Sequence, residues 1–226
     1  RFVAVGGAPV SAQLLVKAYV LGLPVYEGYG LSECSSVLAL NTPAAFCPGS
    51  VGRPLPHTSI RIAEDGEIVV EGSTFLGYLG QALPEQPWKT GDLGYLDSEG
   101  YLHLTGRKKS MFITSFGRNV APEWVERELL LHPAIAQAII FGEARPWNIA
   151  VIVARGSPSE VELAIAATNR MLPDYAQIRA WVAAQTPFTT KNMQLTSNGR
   201  LRRDEIWKVY QPVIDAMYEE QFDAVL

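Results

Sequence analysis

Between Asn41 and Pro56 the chain places Pro43, Pro48, Gly49, Gly52, Pro54 and Pro56 in quick succession. Proline removes a backbone donor and clashes with a preceding helical turn, and glycine costs backbone entropy, so no helix can cross this stretch. The residues before it read in β–loop–α–β order. Residues 2–5 are an apolar strand, and Gly6-Gly7-Ala8-Pro9 is a turn. Ser11 caps a helix running from Ala12 to about Leu21, which Gly22 stops, and residues 24–26 form a second strand. That order belongs to an α/β sheet. Short β segments lie on the far side of the stretch: 59–63, then 67–71 after an Asp65-Gly66 turn, then 94–96 pairing with 101–104 across Asp97-Ser98-Glu99-Gly100.

A boundary is expected near 107–110, where limited proteolysis should nick the chain. Beyond it β and α alternate. A strand covers 111–115. A helix comes next at 122–132, with Pro122 in its first turn. Then come strands at 135–141 and 147–154, a helix at 158–171 with Val161 and Ile165 at helical spacing, a strand at 178–182 and a helix at 203–220. The expected organisation is an α/β piece (1–40), a β-rich subdomain (41–107), and a small α+β domain (108–226) able to fold on its own.

Totals exclude several classes. A net charge of −4 over 226 residues does not favour non-specific nucleic-acid binding. No apolar run approaches the roughly 20 residues needed to span a bilayer, and no signal peptide is visible. Cys34 and Cys47 lack metal-ligand spacing and read as thiols of a reducing compartment. His57, His103 and His132 are scattered, which argues against zinc. The chain opens on Arg1-Phe2-Val3 without an initiator Met, so it reads as a piece of something longer.

Five segments carry candidate chemistry. In Tyr29-Gly30-Leu31-Ser32-Glu33 a ring can stack on a base, a hydroxyl can donate to phosphate, and a carboxylate can hold Mg²⁺, which wants oxygen ligands. A polar loop after a strand would look the same. In Thr90-Gly91-Asp92-Leu93 an acid on a tight Gly turn could accept both hydroxyls of a ribose. A Gly before an Asp between strands is more often only a turn. It gains meaning from Gly106-Arg107-Lys108-Lys109, read as a second Gly turn whose Arg could reach the same sugar. This basic run, with Gly117-Arg118, is either a solvated face or a hinge beside a phosphate. Asn198-Gly199-Arg200 offers a cation on a late loop that could neutralise developing phosphate charge. Gly6-Gly7-Ala8 would let backbone approach a flat ligand.

In this order the segments resemble the adenylate-forming superfamily, which includes acyl-CoA synthetases, luciferases and peptide-synthetase adenylation domains. The runs Thr90-Gly91-Asp92-Leu93-Gly94-Tyr95 to Gly106-Arg107-Lys108-Lys109 and Ile113-Thr114-Ser115 to Asn119-Val120-Ala121-Pro122-Glu123 are similar to its long-chain branch. The resemblance implies activation of a carboxylic acid by ATP to an acyl-adenylate, then transfer to the thiol of coenzyme A. Gly7 and Ala8 would border adenine and acyl groups, Tyr29 and Gly30 would meet adenine, and Ser32 phosphate. Glu33 would bind Mg²⁺, Asp92 and Arg107 would hold the ribose, and Lys109 would be the hinge of a mobile C-terminal domain. It also implies a cytoplasmic enzyme, with peripheral membrane association and a homodimer left open.

Two departures stand out. The family's Gly- and Ser/Thr-rich phosphate loop does not occur in this segment, so the segment alone is expected to be inactive. And Arg200 stands where the family has a Lys; Lys191 is a poorer positional substitute. Two rivals remain: a ligase that loads an acyl carrier protein, and a non-catalytic nucleotide-binding homologue.

Overall fold

A computed structural model describes residues 2–7, 10–72 and 74–223, the side chains of 220–223 excepted. The chain divides into two compact units, Arg1–Ser110 and Met111–Leu226.

In the first unit β1 (Val3–Val5) pairs in parallel with β2 (Val25–Tyr29), and α1 (Ala12–Val20) is the crossover between them. The sheet continues antiparallel through β3 (Ala39–Leu40) and β4 (Arg53–Pro54). These two-residue strands exist because β2 offers a free edge; neither has a sequence pattern of its own. A second sheet is an antiparallel meander of β5 (Thr58–Ile62), β6 (Glu67–Gly72), β7 (Trp88–Leu96) and β8 (Leu102–Arg107). Leu38, Ala39 and Val51 pack with Ile68, Val70 and Leu102 into a single core that also includes Tyr29 and Cys34.

The second unit opens with the short ladder β9 (Phe112–Ile113) and β10 (Asn119–Val120), then α2 (Pro122–Leu129). Its main sheet has β12 (Asn148–Ala154) at the centre, antiparallel to β11 (Ile135–Phe141) and parallel to β13 (Ile178–Ala183). The parallel step requires a crossover, supplied by α3 (Pro158–Asn169). That helix starts where Ser157 and Glu160 cap each other's backbone amides with Pro158 at the first position. Strand alternation sorts the core into two layers. Ala138, Ile140, Ala150 and Ile152 face α2 and α3. Ile139, Ile149 and Val151 face Ile206, Tyr210, Ile214 and Tyr218 of α4 (Arg203–Asp223). Among the described residues no helix is long and apolar enough to cross a membrane.

Candidate nucleotide site

The geometry differs from the two-turn picture in an informative way. Asp92 and Arg107 do not sit on turns. Asp92 lies inside β7, and Arg107 is the last residue of β8, directly opposite it. Gly91, at φ +74°, bends β7 without ending it, which is why the sequence looks like a turn. The ladder slips between Leu93 and Gly94. Were it regular beyond the Gly94–Leu104 pair, Asp92 would face Gly106 and Arg107 would point to the other face of the sheet. The irregularity is what puts the carboxylate and the guanidinium on one side.

There they meet, with Arg107 Nε 2.8 Å from Asp92 Oδ1. The Tyr29 hydroxyl donates to Asp92 Oδ2 at 2.8 Å. Tyr29, expected in a loop, is the last residue of β2, and it is 7% exposed. It therefore belongs to the core, with its hydroxyl on the acid, and is not an open platform for a base. Burial, and then the Asp92 charge, push this hydroxyl far above the ordinary tyrosine value, so it stays a neutral donor. Asp92 itself is 5% exposed. A carboxylate offers about four acceptor positions, so with two taken it can still accept from two hydroxyls of a ligand.

The next layer holds the acid's backbone. Asp92 N–H donates to Thr90 Oγ1 (3.1 Å), whose own proton goes to the Ile68 carbonyl (2.8 Å). Gly91 N–H donates to the buried Glu67 (3.0 Å) and the Gly91 carbonyl accepts from Lys108 N–H (2.9 Å). Lys108 Nζ bridges Asp65 and Glu67 at 2.6 and 2.8 Å. One member of the basic run is thus committed to holding the Gly91 bend. Glu67 and Thr90 were not legible as site residues, because only the β6–β7 register gives them this task.

Gly30 leads from β2 into a tight loop whose short 3-10 turn is Ser32–Cys34. Ser35 and Ser36 take positive φ, and the loop folds back so that Leu38 N–H reaches the Tyr29 carbonyl. A Cβ on Gly30 would overlap the Ser36 carbonyl oxygen and sit 2.8 Å from Val37 Cα. The obstacle is backbone, so it cannot rotate away. Gly30→Ala is expected to cost about 3 kcal/mol, the upper range for overpacking, read as a lowered melting temperature of the first unit's transition. An unchanged melting curve would mean that the loop moves aside freely.

Ser32 is exposed. Glu33 accepts a 2.6 Å hydrogen bond from Tyr78, a residue with no sequence signal pointing to it. That bond, the backbone amide of Glu33 and the nearby Arg107 charge hold its carboxyl below the usual range, against an opposing effect of burial. Tyr29, Glu33, Asp92 and Arg107 thus form one constellation. Gly7 lies exposed in the turn after β1 at φ +84°, where only glycine is unstrained. Ala8 lies outside the described residues. Lys109 is exposed in the turn after β8, next to the end of the first unit.

In the second unit Arg200 is exposed, on a hairpin-like turn just before α4. Its carbonyl accepts from Thr196 N–H (2.8 Å), its N–H donates to Thr196 Oγ1 (3.0 Å), and Gly199 at φ +77° closes the bend. Lys191 is exposed in the preceding loop.

A Gly-bent strand presents an acid to an Arg across the ladder, beside a glycine-tight loop with a second acid, so acceptors for hydroxyls and a cation lie in one place. The comparisons narrow the reading. Residues 1–79 match the AMP-binding enzyme family and residues 109–222 its C-terminal domain. The chain belongs to the AMP-binding enzyme family. It is 33% identical, over an alignment 249 positions long, to a long-chain-fatty-acid–CoA ligase, FadD15, of Mycobacterium bovis, covering 96% of this chain and 42% of the relative. It is 36% identical over 193 residues to a 2-succinylbenzoate–CoA ligase of Bacillus velezensis (76% and 39%). Among solved structures, o-succinylbenzoate CoA synthetase from Bacillus subtilis, in complex with its acyl-adenylate intermediate, superposes with a TM-score of 0.78 at 30% identity (91% and 46%). The chain spans about two fifths of the length of these curated relatives.

Proposed function

We propose that this chain is the distal part of an ATP-dependent acid–thiol ligase. A substrate carboxylate oxygen attacks the α-phosphorus of ATP, the bond to pyrophosphate breaks, and an acyl-adenylate forms. A thiol sulfur then attacks the acyl carbonyl, AMP leaves, and the thiol proton passes to solvent. The observation that carries the reading is the Asp92 carboxylate, buried, held by Tyr29 and Arg107, and retaining acceptor capacity for two hydroxyls. That is the chemistry of a ribose 2′,3′-diol.

In this reading Asp92 grips the ribose and Arg107 supports it. Gly30 shapes the loop against adenine, and Ser32 donates to phosphate. Gly7 and Ala8 border the adenine and the acyl group, and Lys109 is the hinge between the two reaction steps. Glu33 suits Mg²⁺. Its carboxyl is biased toward the charged form and partly accessible, and Mg²⁺ is commonly held by one or two carboxylates plus phosphate oxygens. When bound, the ion would screen the phosphate charge. The acid is proposed to be a fatty acid and the acceptor coenzyme A, in keeping with the names of the long-chain relatives.

ATP-dependent hydroxamate formation over a panel of fatty and aromatic acids, on the full-length enzyme, tests the activity. Free coenzyme A against a phosphopantetheinylated carrier tests the acceptor. No hydroxamate with any acid would sink the reading.

Arg200 is proposed as the cation that meets the α-phosphate during the first step. A guanidinium is planar and bulky, whereas a lysine ammonium is a compact point charge. Arg200→Lys is therefore expected to raise the rate of pyrophosphate release by about tenfold, equal to ~1.4 kcal/mol of barrier, and Arg200→Ala to lower it. If the Lys variant is no faster and the Ala variant loses nothing, the loop has no part in adenylation.

A further inference from the structure

Scattered in sequence, Cys47, Asp97 and His103 converge in the first unit. Their sulfur, oxygen and nitrogen atoms all lie within 4.8 Å of one another. The separate spacings of cysteine and histidine gave no hint of this, because the fold creates it. Val51 N–H donates to the Leu102 carbonyl and Leu102 N–H to the Gly52 carbonyl, which clamps the segment after Cys47 against β8.

Each of the three groups is aimed by its surroundings. His103 stacks flat on Tyr95, ring centroids 4.8 Å apart and planes 6° from parallel. Its Nδ1 is 3.2 Å from the Gly49 carbonyl oxygen, and its Nε2 is 2.9 Å from Asp97 Oδ2. In the tautomer that donates Nδ1–H to that carbonyl, the Nε2 lone pair faces the carboxylate oxygen, and a cation held by both completes the arrangement. Asp97 has its other oxygen committed, since Oδ1 accepts from the Glu99 and Tyr101 backbone amides at 2.9 Å each. Oδ2 is left for the cation. The backbone of Cys47 is fixed at both ends, its N–H donating to Asn41 Oδ1 (2.9 Å) and its carbonyl accepting from Ser50 Oγ (2.8 Å).

We propose that Cys47, Asp97 and His103 bind one Zn²⁺ ion. Thiolate, imidazole and carboxylate are its ordinary ligands, and bond lengths of about 2.0–2.3 Å set tetrahedral ligand atoms about 3.3–3.8 Å apart. The three ligand atoms, within 4.8 Å of one another, would close to that spacing on binding the ion. The Nδ1–carbonyl bond is the outer-shell contact that orients a zinc-bound histidine. All three residues are partly exposed, so the fourth position is open to water. The ion would tie the Asn41–Gly52 connection to the β7–β8 hairpin, and it is separate from the Mg²⁺ proposed at Glu33. It does not depend on the ligase reading.

The test uses the metal-free protein titrated with Co²⁺ as a spectroscopic stand-in, then with Zn²⁺ against a chromophoric chelator. Expected are one equivalent bound, a thiolate-to-cobalt charge-transfer band, and displacement of cobalt by zinc. Cys47→Ser should abolish the band, and Asp97→Asn should weaken zinc binding by at least about tenfold, the lower end for losing even an outer-shell partner. Both variants should melt like the wild type without metal, which separates ligand loss from misfolding. Cys34→Ser should leave the cobalt band and the zinc affinity unchanged. The proposal is overturned if no band appears, if the band survives Cys47→Ser, or if Cys34→Ser is what removes it.

Discussion

In the proposed ligase, replacing Asp92 by Asn is expected to lower the affinity for ATP and AMP by about tenfold to a hundredfold and to erase any preference for ribose over 2′-deoxyribose. Tyr29 and Arg107 already hold the two carboxylate oxygens, so the side chain cannot turn to meet a ligand and costs little entropy when it binds one. Hydrogen bonds to a charged acceptor contribute roughly 1.5–3 kcal/mol each. Asn keeps the shape, gives up the charge, and offers a donor where the ligand brings another donor. Asp92→Ala goes further and takes the carboxylate acceptor away from the buried Tyr29 hydroxyl, with a stability penalty of about 1–3 kcal/mol. The deoxy comparison separates the two effects. A variant that is merely less stable loses ATP and 2′-deoxy-ATP equally, whereas loss of the sugar contact narrows the gap between them. Tyr29→Phe is the control. It removes one bond, leaves the carboxylate charged beside Arg107, and should keep most of the discrimination. Should Asp92→Asn distinguish the two nucleotides as well as the wild type does, the acid is not on the ribose.

How much of the molecule can be read from its sequence depends on the residue. The second unit is legible because its patterns are local. The seven-residue strand at Ile135–Phe141 announces itself by β-branched content, and α3 by the Ser157-Pro158-Ser159-Glu160 start. Pro122 marks the start of α2 in the same way, though the helix ends at Leu129, short of His132. The first unit is less so. Asp92 looks like a turn residue since Gly91 bends the strand without stopping it. The partnership of Tyr29 with a residue 63 positions away comes from sheet register, which no single segment encodes. Cys47, Asp97 and His103 repeat the lesson: spacing along the chain excludes local metal motifs only, and a hairpin packed on a loop can assemble what spacing does not. One missed residue does leave a trace. Pro122, Val125, Glu126 and Leu129 are the buried face of α2, at i, i+3, i+4 and i+7. A glutamate in an apolar stripe calls for a buried partner.

That partner is Arg203, and the largest stability effect in the protein is expected from removing it. Glu126 is 5% exposed; its Oε1 accepts from Ile140 N–H at 2.9 Å and pairs with the Arg203 guanidinium, which also donates to the Ile140 carbonyl at 2.9 Å. The first residue of α4 is thereby fastened to α2 and to β11. Burial pushes the Glu126 carboxyl above the ordinary carboxylate value, and the Arg203 charge is the strongest influence pulling it back. Arg203→Met keeps the stem and deletes the charge. It should destabilise the second unit by roughly 3–5 kcal/mol, the usual result of stranding a buried charge, with a melting temperature lower by on the order of 15 °C. The pH dependence identifies the cause. A carboxyl whose folded pKa lies above its unfolded value penalises folding at pH above the folded value. That penalty is relieved as pH falls through the folded value toward the unfolded one. The Arg203→Met deficit should therefore shrink between neutral pH and mildly acidic pH. Adding Glu126→Gln to Arg203→Met should remove most of the pH dependence, because nothing is left to titrate. If the deficit is the same at both pH values, or if Glu126→Gln does not flatten it, the loss comes from packing of the Arg203 stem and not from the stranded carboxylate.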